Sequence, residues 1–432
     1  MYFHINVVVA SILLLVSIVF AFLVHRHVLI VSILYLYFGP LSSSLKLDLI
    51  GFLFDFTLLL QFVLTIILYL RTNFIYKSKG QIWIVNLFLF GIILSNVSLL
   101  FGFIEDFQIF KFLRYFSTGF LGSINTLLFV FYLNAFNYDL EKTFISFAKF
   151  LSYYGVLVIL EGYFNYISGF NSYLSSNISH NNQLFTFSGQ GPDGIGRLVL
   201  MGFLCTLFLF NDRFSKFKVV LGFYILFGGF IIFLTLSRTI YILFAIMIIV
   251  FILRSSFRLF YFLFVVLVIP FIANFLNSSV YLIDNKSSSL YSMETLFYRF
   301  ELINSAVEVF MNNVKLMFTG VGYRMCGPFI QSLGGVFRGG IQYENVSFEN
   351  KFLELIIETG VVGLLFTLIF SLKSLYLALS KSFRRFFIYR DVALQFFLIL
   401  FGGFFVNMDW IVLYIFYFIF LNSKVNYKVI EK

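Results

Sequence analysis

Apolar runs long enough to cross a bilayer recur along this 432-residue chain, separated mostly by short basic loops. A run of about 18 or more apolar residues is the length at which a helix spans the hydrocarbon core. The chain is 61% hydrophobic and 12% charged, with a mean hydropathy of +0.97. Burial saturates near the size of a single core, so a soluble fold cannot hide that much apolar surface. Length therefore predicts one polytopic bundle rather than two or three soluble domains. Spans are expected near 5–24, 28–41, 49–70, 82–104, 116–136, 144–168, 197–210, 219–236, 239–253, 259–276, 352–372, 392–406 and 410–421. Several are short, and the first 70 residues have room for a re-entrant segment. The fold class is all-α: a polytopic integral membrane protein of about 12 transmembrane helices, forming one membrane-embedded domain over residues 1–432.

The net charge is +10. In a soluble protein this would suggest nucleic acid. Here the cations gather in short loops: Arg71, Lys77 and Lys79; Arg213, Lys216 and Lys218; Arg254 and Arg258; Lys373, Lys381, Arg384, Arg385 and Arg390; and Lys424, Lys428 and Lys432. These fall on one side if the spans alternate, which makes that side cytoplasmic by the positive-inside rule. No basic, aromatic-interleaved patch remains to require a nucleic acid. The loops 169–196 and 277–350 then face outward, as does the tight Ser237-Arg238 turn. The side of the N-terminus stays open. Met1–Val24 has no positive leader and a long apolar run, and further spans follow it, so it is read as a transmembrane helix and not a signal peptide.

The 66 phenylalanines are explained by lipid-facing and helix-packing positions. Cys205 lies in an apolar span and Cys326 in the long loop, so no disulfide is expected. The four histidines, His4, His25, His27 and His180, make no zinc-binding pattern, and no metal is predicted. No internal repeat is detected, which weighs against a transporter built of duplicated halves.

Chemistry is expected on the long polar segment 277–350 and the residues that flank it. A structureless loop of that length is unusual, and loops this long are commonly functional or disordered. Arg238 sits between two apolar runs with almost no loop, where a charge needs a partner or a task; an interfacial arginine snorkelling to headgroups is the plainer account. Arg299 and Glu301 fall on a stretch, Met293 to Met311, whose Leu296, Phe300, Ile303, Val307 and Phe310 recur at helical spacing. Such an amphipathic helix lies naturally at a membrane surface, although a solvated charged face looks the same. Arg197 opens a span after the turn-like segment 191–196, where an interface anchor is the plainer account. Three arginines on one side suggest an anion site, because guanidinium forks bind phosphate oxygens in pairs and stay charged. A lipid-linked pyrophosphate is the anion available at an outer membrane surface. Asp284, Glu294, Glu301, Glu308, Glu344 and Glu349 are outward carboxylates, and the physics alone does not choose a general base among them. The Gly320-Val321-Gly322-Tyr323 stretch reads as a tight turn.

At these residues the chain resembles the O-antigen polymerase and O-antigen ligase superfamily, the bacterial Wzy and WaaL proteins. Thr235-Leu236-Ser237-Arg238-Thr239 is similar to its Ser-Arg turn. Arg299 and the following helix are similar to the arginine-bearing segment that starts its large outer loop. Phe318-Thr319-Gly320-Val321-Gly322 is similar to its Gly-x-Gly turn. The best match closes the loop: Glu349-Asn350, nine residues, Gly360, and Gly363 three further on. Ligases carry His at the position of Glu349; polymerases are more tolerant there and often acidic, so the resemblance favours a polymerase. The first 150 residues match in hydropathy alone.

The resemblance implies a GT-C-like helical membrane glycosyltransferase with one large extracytoplasmic loop in the bacterial cytoplasmic (inner) membrane, its active site facing the periplasm or exterior. It implies no cofactor, neither nucleotide sugar nor metal. The donor would be an undecaprenyl-pyrophosphate-linked oligosaccharide and the acceptor a lipid-linked repeat unit, joined with inversion. Glu349, Arg299 and Arg238 would be catalytic, and Arg197, Asn350 and Glu301 would bind substrate. Partners would be the lipid bilayer, a chain-length regulator and a flippase of the same pathway, and no nucleic acid. A ligase is the alternative within the class. A polysaccharide flippase is the alternative outside it, disfavoured by the long loop and the loop-end motif.

Overall fold

A computed structural model of the chain describes residues 3–5, 7–38, 45–49, 52–72, 82–105, 119–136, 138–168, 192–211, 217–234, 240, 243–245, 304, 307–308, 311–326, 351–379 and 411–430. The expected spans 239–253, 259–276 and 392–406 lie wholly or largely outside these residues, as does most of the loop 277–350 and of the amphipathic stretch 293–311.

Helices dominate. They are α1 (Val7–Leu23), α2 (Arg26–Phe38), α3 (Phe56–Leu70), α4 (Trp83–Glu105), α5 (Leu121–Ala135), α6 (Leu140–Ile167), α7 (Pro192–Asn211), the short α9 (Val314–Thr319), α10 (Lys351–Leu379) and α11 (Ile411–Ile430). Between α7 and α9, α8 runs from Phe217 through a π-helical turn at Tyr224–Gly228 to Leu234. Boundaries follow local chemistry. Asp139 caps α6 by accepting from the Lys142 amide at 2.9 Å, so this helix starts four residues before the apolar run. Pro192 opens α7, a position where its missing N–H is not needed. Residues 192–196 are therefore helix and not the turn expected there, and Arg197 sits inside α7 rather than at its start.

One small sheet departs from the all-α expectation. Strand β1 (Phe3–Ile5) runs parallel to β2 (Leu45–Leu49), which pairs antiparallel with β3 (Phe52–Asp55). The span expected over 49–70 thus begins as strand and becomes helix at Phe56. The reason is legible: Phe52-Leu53-Phe54 is apolar and merges by hydropathy with the helix that follows, whereas Leu45-Lys46-Leu47-Asp48-Leu49, mostly ahead of that span, alternates with period two.

Two helices, Leu140–Ile167 and Phe352–Leu377, are long and apolar enough to cross a membrane, and shorter apolar helices surround them. Large apolar side chains face outward in rows: Ile12, Leu15, Val16 and Val19 on α1, Leu157, Leu160 and Phe164 on α6, and Leu365, Leu368 and Leu372 on α10. Such continuous apolar exteriors suit lipid, not water. Polar groups go inside. Gln61 Nε2 donates to the Leu36 carbonyl at 2.9 Å, Asn125 Nδ2 to the Leu58 carbonyl at 2.7 Å, and Asn134 Nδ2 to Asn86 Oδ1 at 2.8 Å. Bonds of this kind hold helices together where lipid offers no hydrophobic drive. Small residues do the rest: the Tyr224 hydroxyl fills the space that a Cβ on Gly155 or Gly202 would take, and donates to the Ser152 carbonyl at 2.7 Å.

Side-chain pairs sort the helix ends. Phe88 meets Phe366 and Gly91 meets Val362, so α4 and α10 are antiparallel. Asn125 meets Leu58 while Tyr132 meets Tyr69, so α3 and α5 are parallel. Phe144 stacks on Phe420, and Phe208 lies edge-on to the same ring, which orients α6, α7 and α11. One end of the bundle therefore collects the starts of α3, α5, α7, α10 and α11 with the finish of α2. The opposite end carries Arg26, Arg71, Lys142 and Lys218. Arg71 has a structural task there: its guanidinium donates to the Ala21 and Val24 carbonyls and closes the C-terminus of α1.

Candidate active site

The site is organised by a break in α10. Gly360 has φ +65° and ψ −148°, which interrupts the helix. A break withholds the amides that would normally satisfy the carbonyls one turn earlier, and buried carbonyls need replacements. The replacements come from the loop after α9. Val321 N–H donates to the Ile357 carbonyl at 3.0 Å, and Gly322 N–H to the Glu358 carbonyl at 3.1 Å. The two backbones interlock so closely that neither tolerates a side chain. A Cβ on Gly360 would lie 2.6 Å from the Phe318 carbonyl oxygen, and one on Gly320 (φ +73°) would overlap the Glu358 carbonyl. Gly363 completes the motif for a different reason: a Cβ there would strike the Thr359 hydroxyl and the Leu355 carbonyl. The Gly-x-Gly turn and the Gly-x-x-Gly element, more than 30 residues apart in sequence, are thus two halves of one joint.

Glu358 strengthens the joint with its side chain. Its carboxylate is 2% exposed, and Oε1 accepts from the Cys326 amide at 3.4 Å. Glu354, one turn earlier, is equally buried. Glu358 therefore holds the loop at Gly322 through its carbonyl and at Cys326 through its carboxylate. Between those points Met325 N–H turns back to the Gly322 carbonyl at 3.1 Å. Tyr323 drops into the core, edge-on to Phe88, with ring centroids 6.1 Å apart.

Arg324 stands at the crest of this arc with φ +63°, the one non-glycine left-handed residue among those described. A non-glycine residue there costs on the order of 1 kcal/mol. Its half-buried side chain lies across the first turn of α5: a Cβ on Gly122 would fall 2.9 Å from both its Cδ and its Nη1. Its charge acts on the Tyr37 hydroxyl near the finish of α2. The guanidinium is thus placed where α2, α5 and α10 converge at one end of the bundle.

Of the residues expected to form the site, Arg197 is described. It is half-buried in α7, and its charge acts on Tyr414 in the first turn of α11. That puts it at the same end as the interlocked loop. Arg238, Arg299, Glu301, Glu349 and Asn350 lie outside the described residues; Glu349 and Asn350 immediately precede α10 in sequence. Sequence reasoning missed Arg324, Glu354 and Glu358 as site residues. The signals were present: an arginine two residues after a Gly-x-Gly turn, and carboxylates at i and i+4 in an otherwise apolar run, where an ionisable group marks function by default. Chemically, this end offers two half-buried guanidinium groups and two buried carboxylates, of which Glu358 accepts from a backbone amide.

Residues 223–368 match the sequence model of a family described as O-antigen ligase. The match covers about a third of the chain, from the end of the first segment of α8 past the Gly360 break, and includes Arg238, Arg299, Arg324, Glu349 and Glu358. Arg197 lies before it. No curated protein matches the chain.

Proposed function

From this chain's place in the O-antigen polymerase and ligase superfamily, we propose that it is a polysaccharide polymerase of the bacterial inner membrane. It is one multi-pass unit over residues 1–432, with loop 277–350 and the active site on the outer face. It transfers an undecaprenyl-pyrophosphate-linked glycan onto a lipid-linked repeat unit. The acceptor hydroxyl oxygen attacks the anomeric carbon of the donor, the bond from that carbon to the pyrophosphate oxygen breaks, and undecaprenyl pyrophosphate leaves with inversion. Arg238 and Arg299 bind the pyrophosphate and stabilise the charge it gains on leaving; fixed positive charge is what such a leaving group needs most. Glu349 takes the proton of the acceptor hydroxyl. Arg197, Glu301 and Asn350 contact substrate. A flippase supplies the lipid-linked units and a chain-length regulator acts on the product.

The observation that carries this reading is the joint between the Gly320–Cys326 loop and the Gly360 break. It lies inside the family match and sets the start of α10 at the bundle end that holds Arg197 and Arg324. The choice of polymerase over ligase rests on Glu349, where ligases carry His.

Two measurements test it. Deletion should leave cells with single-repeat glycans; unligated lipid-linked polymer would make the protein a ligase, and intermediates trapped on the cytoplasmic side a flippase. In a purified assay, Glu349→Gln should cut polymerisation about a hundredfold or more with the fold intact. Gln still orients a hydroxyl and partly caps α10 but takes no proton, so wild-type rates in this variant would reduce Glu349 to a helix cap, worth roughly 0.3–1 kcal/mol.

A further inference from the structure

We infer that Arg324 is an additional oxyanion-binding residue of this site and that Glu358 is the positioning residue that presents it. The inference rests on the reading of the site as one that binds a polyprenyl pyrophosphate.

Three independent observations converge. First, Arg324 holds a left-handed backbone that glycine would adopt without strain. Strain at a residue whose surroundings over-determine it is a mark of function when the side chain has a task. Second, the loop that carries it is anchored on both sides by one residue, Glu358, through its carbonyl to Gly322 N–H and its buried carboxylate to Cys326 N–H. Third, the space for the guanidinium is reserved: Gly122 keeps the first turn of α5 bare where the Arg324 side chain crosses it. A backbone bent to aim it, a clamp to hold it and a groove to receive it make a preorganised cation. It lies at the bundle end that holds Arg197 and the start of α10. Guanidinium suits a phosphate oxyanion there, since it keeps its charge at any pH and offers paired donors.

The test is binding of undecaprenyl pyrophosphate, and separately of undecaprenyl monophosphate, to the full-length protein in nanodiscs. Arg324→Asn keeps a residue that tolerates the left-handed backbone and removes the charge; pyrophosphate affinity should fall by about tenfold or more. Arg324→Lys should recover part of it, because a point charge replaces a fork. Gly122→Ala leaves Arg324 in the chain but fills its groove, so affinity should fall in the same way while thermal stability holds or rises, alanine being the better helix former. Glu358→Gln keeps an acceptor for the Cys326 amide and should retain most affinity, whereas Glu358→Ala should lose it. Adding Arg324→Asn to Glu358→Ala should cost nothing more, a non-additivity that a merely structural role for Glu358 does not produce. If the wild type binds the pyrophosphate and both Arg324→Asn and Gly122→Ala bind it equally well, Arg324 is not an anion ligand and the inference fails alone. If the wild type binds no polyprenyl pyrophosphate, the proposed function fails and takes this inference with it.

Discussion

Replacing Gly360 by alanine tests the joint directly. The residue sits at φ +65° and ψ −148°, a conformation essentially confined to glycine, in which alanine costs about 1–3 kcal/mol. The new Cβ would also lie 2.6 Å from the Phe318 oxygen, 2.7 Å from its carbonyl carbon and 2.8 Å from Gly320 N. These are backbone atoms, so no side-chain rotation relieves the overlap. The loop must retreat by most of an ångström, which stretches the Val321 and Gly322 bonds to α10, now 3.0 and 3.1 Å, beyond useful length. Each such bond is worth about 1 kcal/mol net. Strain and lost bonds together predict a destabilisation of about 3–5 kcal/mol. The control is Gly222→Ala. Gly222 lies in α8 with nothing within 4 Å of an added Cβ, so alanine there should be neutral or stabilise by up to about 1 kcal/mol. The assay is the midpoint of SDS-induced unfolding of purified protein in mixed micelles, read beside the polymer ladder made in cells. Gly360→Ala should shift the midpoint and shorten or abolish the ladder; Gly222→Ala should do neither. Equal stability of the two variants, within about 1 kcal/mol, would refute the joint as the element that organises the site.

Cysteines introduced at Ser288 and Ser382 should label from opposite faces of the membrane, as the asymmetry of basic loops requires; labelling of both from one face would overturn the topology and most of the mechanism. Arg238→Ala and Arg299→Ala should each nearly abolish polymerisation in protein that still inserts, with Arg→Lys recovering only part of it. Wild-type product from both alanine variants would remove these residues from the pyrophosphate site.

The bundle was legible where hydropathy and length decide. The spans expected at 82–104 and 5–24 differ from α4 and α1 by no more than a turn. It was less legible where local chemistry overrides hydropathy. The Phe52–Asp55 strand was absorbed into a helix, and the glycines of 191–196 suggested a turn although Pro192 begins a helix. In the latter, Gly196 serves packing: a Cβ there would overlap Ile240. The site was legible as a set of motifs but not as a contact. Nothing in the spacing of Gly320 and Gly360 says that one turn supplies the amides the other needs. That pairing follows from a helix break, and a break at a single glycine inside an apolar run is invisible to periodicity, which averages over several turns. Arg324 was hidden for the same reason, since a loop residue acquires a direction only after its anchors are known.

The Gly320-Val321-Gly322 turn is better understood as scaffold than as a phosphate-binding turn. A phosphate-binding glycine loop presents free amides to the ligand. Here the amides of Val321 and Gly322 are already committed to the carbonyls that the Gly360 break leaves open. Gly91 permits close packing of α4 on α10, where an added Cβ would meet Val362, and Gly363 leaves room within α10 for the Thr359 hydroxyl and the Leu355 carbonyl. What the glycines provide is a rigid corner between the α9 loop and α10. A corner of that kind has one use at a site whose chemistry lies in long flexible side chains: it fixes their roots. Glu349 and Asn350 precede α10 directly, and Arg324 rises from the loop docked against it, so both sides of the proposed reaction are referred to the same short stretch of α10. Precise placement matters steeply, since a misplacement of about 1 Å can cost a hundredfold in rate. Substitutions at the corner should therefore depress turnover, and Gly363→Ala, whose added Cβ would strike the Thr359 hydroxyl and the Leu355 carbonyl, should lower activity and stability together.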